Sequence, residues 1–94
     1  MRIRWTPGAA ADSQTISDYL KEHRPRYGQR TMQKLYETPR SLKQAPYPGR
    51  PGDERGTREI VFPPLPYVAV YRVSDRQKTV EFLRVYHGAQ DRPN

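Results

Sequence analysis

Residues 57–86 read TREIVFPPLPYVAVYRVSDRQKTVEFLRVY and contain three segments of β-strand character. Each segment is rich in Val, Ile, Phe or Tyr, the residue types that strands favour. The segments run from Thr57 to Phe62, from Tyr67 to Val73 and from Thr79 to Tyr86. The runs between them are short, which favours antiparallel hairpins. This part of the chain therefore predicts three consecutive strands of one sheet.

The preceding residues predict one more strand and two helices. Residues 2–5 alternate polar and apolar side chains, so we expect a short strand with Ile3 and Trp5 toward the core. Thr6 is a suitable helix cap, and Pro7 suits the first helical position because its missing N–H costs nothing there. Pro25 ends this helix and opens the next one in the same way. We expect the apolar face of the first helix to consist of Ala9, Ile16, Tyr19, Leu20 and His23.

The second helix contains Pro39, which removes one backbone hydrogen bond and clashes with the preceding turn, at a cost of about 3 kcal/mol. We expect a kink or an early end there. Residues 45–56, APYPGRPGDERG, have loop composition. The order of elements is then β-α-α-β-β-β. It predicts an α+β fold with one domain over residues 1–94, in which a helical hairpin packs on a four-stranded, mostly antiparallel sheet.

Composition narrows the class of partner. Seventeen Lys and Arg against ten Asp and Glu give a formal net charge of +7, which favours a nucleic acid, a ribosome or an acidic protein as partner.

The chain contains no cysteine, and two histidines make a poor ligand set, so we expect no metal and no cofactor. No segment reaches the roughly 20 apolar residues of a membrane span, and the first residues lack the apolar run of a signal peptide. We expect a cytoplasmic protein.

The order of elements and several short stretches resemble the RelE/ParE superfamily of toxins, which includes plasmid stabilisation proteins. The resemblance covers almost the whole chain. It implies the toxin of a type II toxin–antitoxin system, which is neutralised in a hetero-oligomer with its cognate antitoxin. RelE-like members cut mRNA on the ribosome, whereas ParE-like members poison DNA gyrase. The similar stretches are, in family order, residues 3–7 (IRWTP), 49–52 (GRPG), 56–59 (GTRE), 66–73 (PYVAVYRV) and 85–89 (VYHGA).

Two positions of this chain can be compared with the active-site positions of RelE-like proteins, and only one of them matches. That branch usually has an arginine within its third strand, where this chain has Val68, and valine can neither bind phosphate nor transfer a proton. His87 matches a C-terminal histidine that acts as acid and base in one RelE-like subgroup. A nuclease would therefore use His87 with Arg58 and Arg84, and on this reading Arg58, Arg84 and Glu54 are expected near His87. The alternative is that His87 closes a strand and that the two arginines are solvated or contact antitoxin carboxylates.

Two further groups are candidate binding residues. Arg26, Arg30 and Lys34 follow one another at four-residue spacing and form a basic ridge on the second helix, which is either a solvated face or a contact for an acidic partner. Tyr67 and Tyr71 alternate along a strand, where tyrosines either stack on bases or pack within the fold.

Three functions remain open at this level. The first is a ParE-like toxin, not an enzyme, that binds a macromolecular target such as DNA gyrase. The second is a ribosome-dependent mRNA endonuclease, and the third is a basic nucleic-acid-binding module without toxicity. For the antitoxin we expect an acidic, partly disordered segment that folds on this surface, because the surface repels itself until its charge is neutralised.

Overall fold

A computed structural model describes residues 1–44, 49–62 and 65–88 of the chain. Within these residues two helices and five strands follow one another, and the order of the predicted elements is confirmed. They are β1 Arg2–Trp5, α1 Pro7–His23, α2 Pro25–Gln44, β2 Arg50–Pro51, β3 Thr57–Phe62, β4 Leu65–Ser74 and β5 Thr79–His87.

The sheet is mixed and has the strand order β1-β5-β4-β3-β2. The three C-terminal strands form the predicted antiparallel hairpins, and β1 lies parallel to β5. The prediction of four strands was one short, because Arg50 and Pro51 pair with β3 inside the segment predicted as a loop. Two residues between prolines and glycines carry no periodicity that would predict a strand. The α+β class is confirmed.

The beginning of α1 is fixed to the end of its neighbouring strand. The Thr6 hydroxyl oxygen accepts a hydrogen bond from the Ala9 backbone N–H at 3.2 Å, as a helix cap does. The same hydroxyl donates to the Phe82 carbonyl at 2.7 Å. Pro7 occupies the first helical position, and the helix ends at His23, next to the capping residue Arg24. The predicted helix boundaries are therefore confirmed to within one residue.

The second helix continues through Pro39 and ends at Gln44. Of the expected kink or early end at Pro39, the early end was wrong, and the kink stays a prediction. A proline removes one hydrogen bond of the ladder, and the backbone on both sides of it remains helical.

The core lies between the helices and one face of the sheet. Ile3 and Trp5 pack against it, and the Trp5 ring stacks on Phe82 with centroids 4.8 Å apart. Tyr19 and His23 were expected to face inward and instead lie exposed, because the inner face of α1 is centred on small residues and Leu20. The buried core residues are Ala9, Tyr67, Ala69, Tyr71, Val80, Phe82 and Val85.

The helices cover one face of the sheet, and we call the opposite one the open face. Since directly paired residues project to the same side, the open face contains the residues that alternate with the core positions.

Among the helices described, none is long and apolar enough to cross a membrane.

Candidate functional site

His87, the candidate acid and base, is the last residue of β5. It pairs in register with Tyr67, and the two rings meet edge to face with centroids 5.7 Å apart. The side chain is half-buried. His87 thus ends the strand with its ring against a core tyrosine.

Arg58 lies farther along the sheet. It pairs in register with Tyr71, four residues along β4 from the partner of His87, which corresponds to about 13 Å of strand. Its guanidinium Nη1 donates to the Gly49 carbonyl oxygen at 2.8 Å. Arg58 is therefore directed toward the loop before β2, and the strand register does not bring it beside His87.

Arg84 is held by a carboxylate of α1. Its Nε donates to Asp12 Oδ2 at 2.7 Å and its Nη2 to Asp12 Oδ1 at 3.1 Å. The hydrogen bonds and the opposite charge of Asp12 raise the pKa of Arg84 above its ordinary value. Asp12 Oδ2 also accepts from the Val85 backbone N–H at 2.9 Å. Arg84 is thus part of the junction between α1 and β5, and the three nuclease candidates do not form one cluster.

Val68 occupies the position at which the RelE branch has an arginine. It is 5% exposed and pairs in register with Tyr86 on β5. Its side chain fills an apolar position of the sheet and offers nothing to a phosphate group.

A shallow cavity of about 100 Å³ lies on the open face, beside the loop that follows β2. Three carboxylates line it and only one cation does, among the residues that the structure describes. That cation is Arg84, which Asp12 already binds. The buried carboxylate Glu59 pairs with Arg50 at 3.1 Å. The lining residues are Asp53, Glu54, Glu59, Thr57, Val70, Leu83, Arg84 and Tyr86.

The cavity is better suited to repel a phosphodiester than to bind one. A metal-independent ribonuclease needs fixed cations at the place where negative charge develops in the transition state. Glu54, which was expected near the candidate histidine, is one of the acidic residues that line the cavity. Its backbone carbonyl accepts hydrogen bonds from the hydroxyl and the backbone N–H of Thr57. Of the described residues, no group of three or more His, Asp or Glu is arranged to hold a metal ion.

Tyr67 and Tyr71 are core residues. Tyr71 is fully buried, and its hydroxyl oxygen accepts a hydrogen bond from the Gly49 backbone N–H at 3.0 Å. A side chain at Gly49 would collide with this hydroxyl and with the Glu59 carbonyl, so glycine is required there. Burial raises the pKa of Tyr71, which the hydrogen bond from Gly49 and the charge of Arg58 partly oppose. Stacking on bases is excluded for a ring without exposed surface, and the packing alternative holds for Tyr71.

The basic ridge of α2 is described in part. Arg26 and Arg30 are exposed, as a solvated face or a partner contact would require. The side chain of Lys34 lies outside the described part of the structure.

The sequence did not predict one exposed group of aromatic residues on the helices. Tyr19, His23 and Tyr27 lie exposed on the helical hairpin, and the Tyr19 and His23 rings are 4.5 Å apart between centroids. The four-residue spacing of Tyr19 and His23 predicts adjacent side chains on a helix, but it does not tell an inner face from an outer one.

Comparisons with known proteins agree with this fold. Residues 3–92 match the family model described as the ParE toxin of the type II toxin–antitoxin system parDE. The chain is 35% identical over 92 residues to a Sinorhizobium fredii protein named "Putative toxin Y4kP", which covers 98% of this chain and 93% of the relative.

Solved structures show the same arrangement. A chain from the chromosomal ParDE system of P. aeruginosa is 29% identical with a TM-score of 0.81, covering 93% of this chain and 95% of its own. A chain of the RelBE2 toxin–antitoxin complex from Mycobacterium tuberculosis is 25% identical with a TM-score of 0.61, covering 92% and 95%. The YoeB/ParE toxin from Agrobacterium tumefaciens shares the fold at 20% identity and a TM-score of 0.64, covering 93% and 98%.

Proposed function

The chain belongs to the ParE toxin family of type II toxin–antitoxin systems, and from that premise we propose that it acts by binding a macromolecular target, DNA gyrase, and not by cutting RNA. The observation that carries the proposal is the chemistry of the open face. Val68 provides no charge where a nuclease of this fold would hold a phosphate, and among its described lining residues the cavity nearby has three carboxylates and one cation. Because both branches share this fold, the fold does not distinguish a nuclease from a gyrase-binding toxin, and the distinction depends on these residues.

The separation of the candidate catalytic residues supports the same proposal. General acid and base groups must reach one substrate together with the cations that stabilise its charge. His87 packs on Tyr67, Arg58 donates to Gly49 and Arg84 is bound by Asp12. Each has a structural partner of its own, which fits a protein that binds and does not catalyse.

A supercoiling assay with purified gyrase tests the proposal. Increasing toxin should inhibit the supercoiling of relaxed plasmid, and the cognate antitoxin should restore it. Primer extension on mRNA from induced cells provides the second measurement, because only a ribosome-dependent nuclease produces codon-associated cuts. Uninhibited gyrase at toxin excess, together with such cuts, would refute the proposal. Harmless expression without the neighbouring antitoxin gene would favour a nucleic-acid-binding module without toxicity.

A substitution at His87 separates binding from chemistry within the same protein. If His87 closes the strand, His87→Gln keeps a hydrogen-bonding group of similar reach and toxicity should persist. If His87 transferred a proton, both His87→Gln and His87→Ala should reduce activity by about 10²–10⁴-fold. Growth inhibition in cells is the measurement, with antitoxin binding as the control for folding. A His87→Gln variant that binds antitoxin and is harmless would contradict the proposed mode of action.

For the antitoxin we propose an acidic, partly disordered segment that folds on the toxin. Its basic counterpart is a group of four arginines on the open face, which lie at positions that alternate with the core and do not line the cavity. Arg4 pairs there with Glu81 at 2.9 Å, and the pair is largely exposed on the arginine side. Exposed ion pairs contribute only about 0–1 kcal/mol each, so apolar contacts must supply much of the affinity. The four residues are Arg2, Arg4, Arg50 and Arg72.

Salt dependence tests the charge argument. The dissociation constant of the toxin–antitoxin complex should rise as ionic strength increases, because exposed charges are screened within about 10 Å at 0.1 M salt. Isothermal titration at low and high salt measures the change. An affinity that is the same at both would show that charge does not guide the antitoxin.

A further inference from the structure

The helical hairpin presents aromatic side chains to solvent on both of its helices. Tyr19 on α1 is 58% exposed and Tyr27 on α2 is 44% exposed. The His23 side chain is 52% exposed and packs on the Tyr19 ring. We call Tyr19, His23 and Tyr27 the tyrosine–histidine surface. Large aromatic side chains at this exposure are costly to solvate and are the type most enriched at protein interfaces.

The two helices pack closely at this surface, because a Cβ added at Gly28 would lie 2.9 Å from the Leu20 Cβ. Burial raises the pKa of the Tyr67 hydroxyl, and the nearby phenols of Tyr27 and Tyr19 raise it further. Tyr19 and Tyr27 are the neighbours in sequence of Leu20 and Gly28, where the two helices touch. Tyr67 itself is 6% exposed and packs against His87. Tyrosine side chains have only two χ angles and lose little conformational entropy when they bind, which favours them as interface anchors.

We propose that the tyrosine–histidine surface is the docking site for an acidic segment of the toxin's protein target. The inference rests on the proposed function, since it names the surface through which the toxin would bind. Three exposed arginines surround it and offer donors to carboxylates: Arg24 between the helices, and Arg26 and Arg30 on α2. Arg30 follows Tyr27 by three residues and so lies beside it on the helix.

The charges next to the tyrosines favour a protein segment over a nucleic acid. Asp18 and Glu22 are exposed and flank Tyr19 on α1. A nucleic acid carries a phosphate at every residue, so part of its backbone would approach these carboxylates. A protein segment can place its acidic residues opposite the arginines of α2 and its apolar residues on the tyrosines.

A second basic surface lies apart from this one. The open-face arginines Arg2 and Arg72 are on the side of the sheet that the helices do not cover, whereas the tyrosine–histidine surface is on the helices. Two acidic partners can therefore be recognised by two separate surfaces. Because the antitoxin is proposed for the open-face arginines, we assign the target to the hairpin.

The double variant Tyr19→Ala with Tyr27→Ala tests the assignment in the gyrase supercoiling assay. Truncating an anchor residue typically weakens binding roughly 10-fold, so half-inhibition should need at least about 10-fold more toxin. Gln29→Ala, at an exposed position of α2, is the matched control and should inhibit like the wild type. Antitoxin affinity, measured by titration, should be unchanged in both variants, which also reports that they are folded.

The results with the double variant distinguish a protein target on this surface from an antitoxin or a nucleic acid. A double variant that inhibits like the wild type, or that loses antitoxin affinity instead, overturns the inference. Loss of binding to a labelled single-stranded oligonucleotide, in parallel with inhibition, overturns it in favour of nucleic acid. If the double variant does not fold, Tyr19→Gln alone is compared with Gln29→Ala under the same criteria. Failure of wild-type toxin to inhibit gyrase would refute the proposed function itself, and so the two failures are distinguishable.

Discussion

Asp12 joins α1 to β5 through three hydrogen bonds, and its removal should show how much this junction stabilises the fold. Its side chain is 17% exposed, and the Arg84 side chain is 47% exposed. The bond from the Val85 N–H to the carboxylate is charge-assisted and partly buried, so its loss should cost about 1.5–3 kcal/mol. The ion pair with Arg84 is screened by solvent and adds about 0–1 kcal/mol.

We therefore expect Asp12→Ala to lower the free energy of unfolding by about 2–3 kcal/mol and Arg84→Ala by at most about 1 kcal/mol. For a chain of this size the first change corresponds to a fall in Tm of roughly 10–20 °C. Asp12→Asn should lie between the two, because an amide oxygen can still accept from Val85 but brings no charge.

Urea unfolding followed by the fluorescence of Trp5 measures all three variants, and the double variant of Asp12 and Arg84 closes a thermodynamic cycle. The coupling energy between the two side chains should not exceed about 1 kcal/mol. An Arg84→Ala variant that is as destabilised as Asp12→Ala would refute the reasoning, because the ion pair would then matter more than the backbone hydrogen bond.

Three further changes have expected outcomes. Ser13→Ala should leave stability unchanged or raise it by up to about 1 kcal/mol in urea unfolding, because the buried hydroxyl has no hydrogen-bond partner among the described residues. Gly28→Ala should lower Tm, because an added Cβ would lie 2.9 Å from Leu20 Cβ where the helices cross. Tyr71→Phe should cost about 1–3 kcal/mol at pH 7 by leaving the Gly49 N–H without its acceptor. Since the pKa of Tyr71 is raised in the folded state, wild-type stability should fall as pH rises above 10.0, and Tyr71→Phe should show a smaller fall.

The elements with strong local signals could be predicted from the sequence. Thr6 and Pro7 define the beginning of α1 chemically, and Pro25 limits its end, so these boundaries agree with the structure. The three C-terminal strands are equally clear from their composition. The strand of Arg50 and Pro51 could not be predicted, because it depends on pairing with β3 and not on any preference of its own residues.

The orientation of the first helix was harder to predict than its length. A Tyr and a His at four-residue spacing fit an apolar stripe, and the choice of face depends on what packs against the helix. Here Ala9, Ser13 and Leu20 face the sheet, and small residues allow the close approach. The contacts of the candidate site residues could not be predicted for a similar reason. Arg84 is a plausible phosphate ligand in the sequence, and only the fold brings Asp12, 72 residues away, into contact with it.

The difference between a nuclease and a binding toxin on this scaffold reduces to which side chains the sheet presents at a few positions. Position 68 has a buried valine and Glu59 is paired with Arg50, so neither adds positive charge for a phosphodiester, and both fit the pairing of β3 with β4. The helices carry exposed aromatic residues of the kind that is enriched at protein interfaces. A cation placed at position 68 would be surrounded by Tyr86 and the neighbouring strands, so Val68→Arg alone should cost stability without producing a ribonuclease.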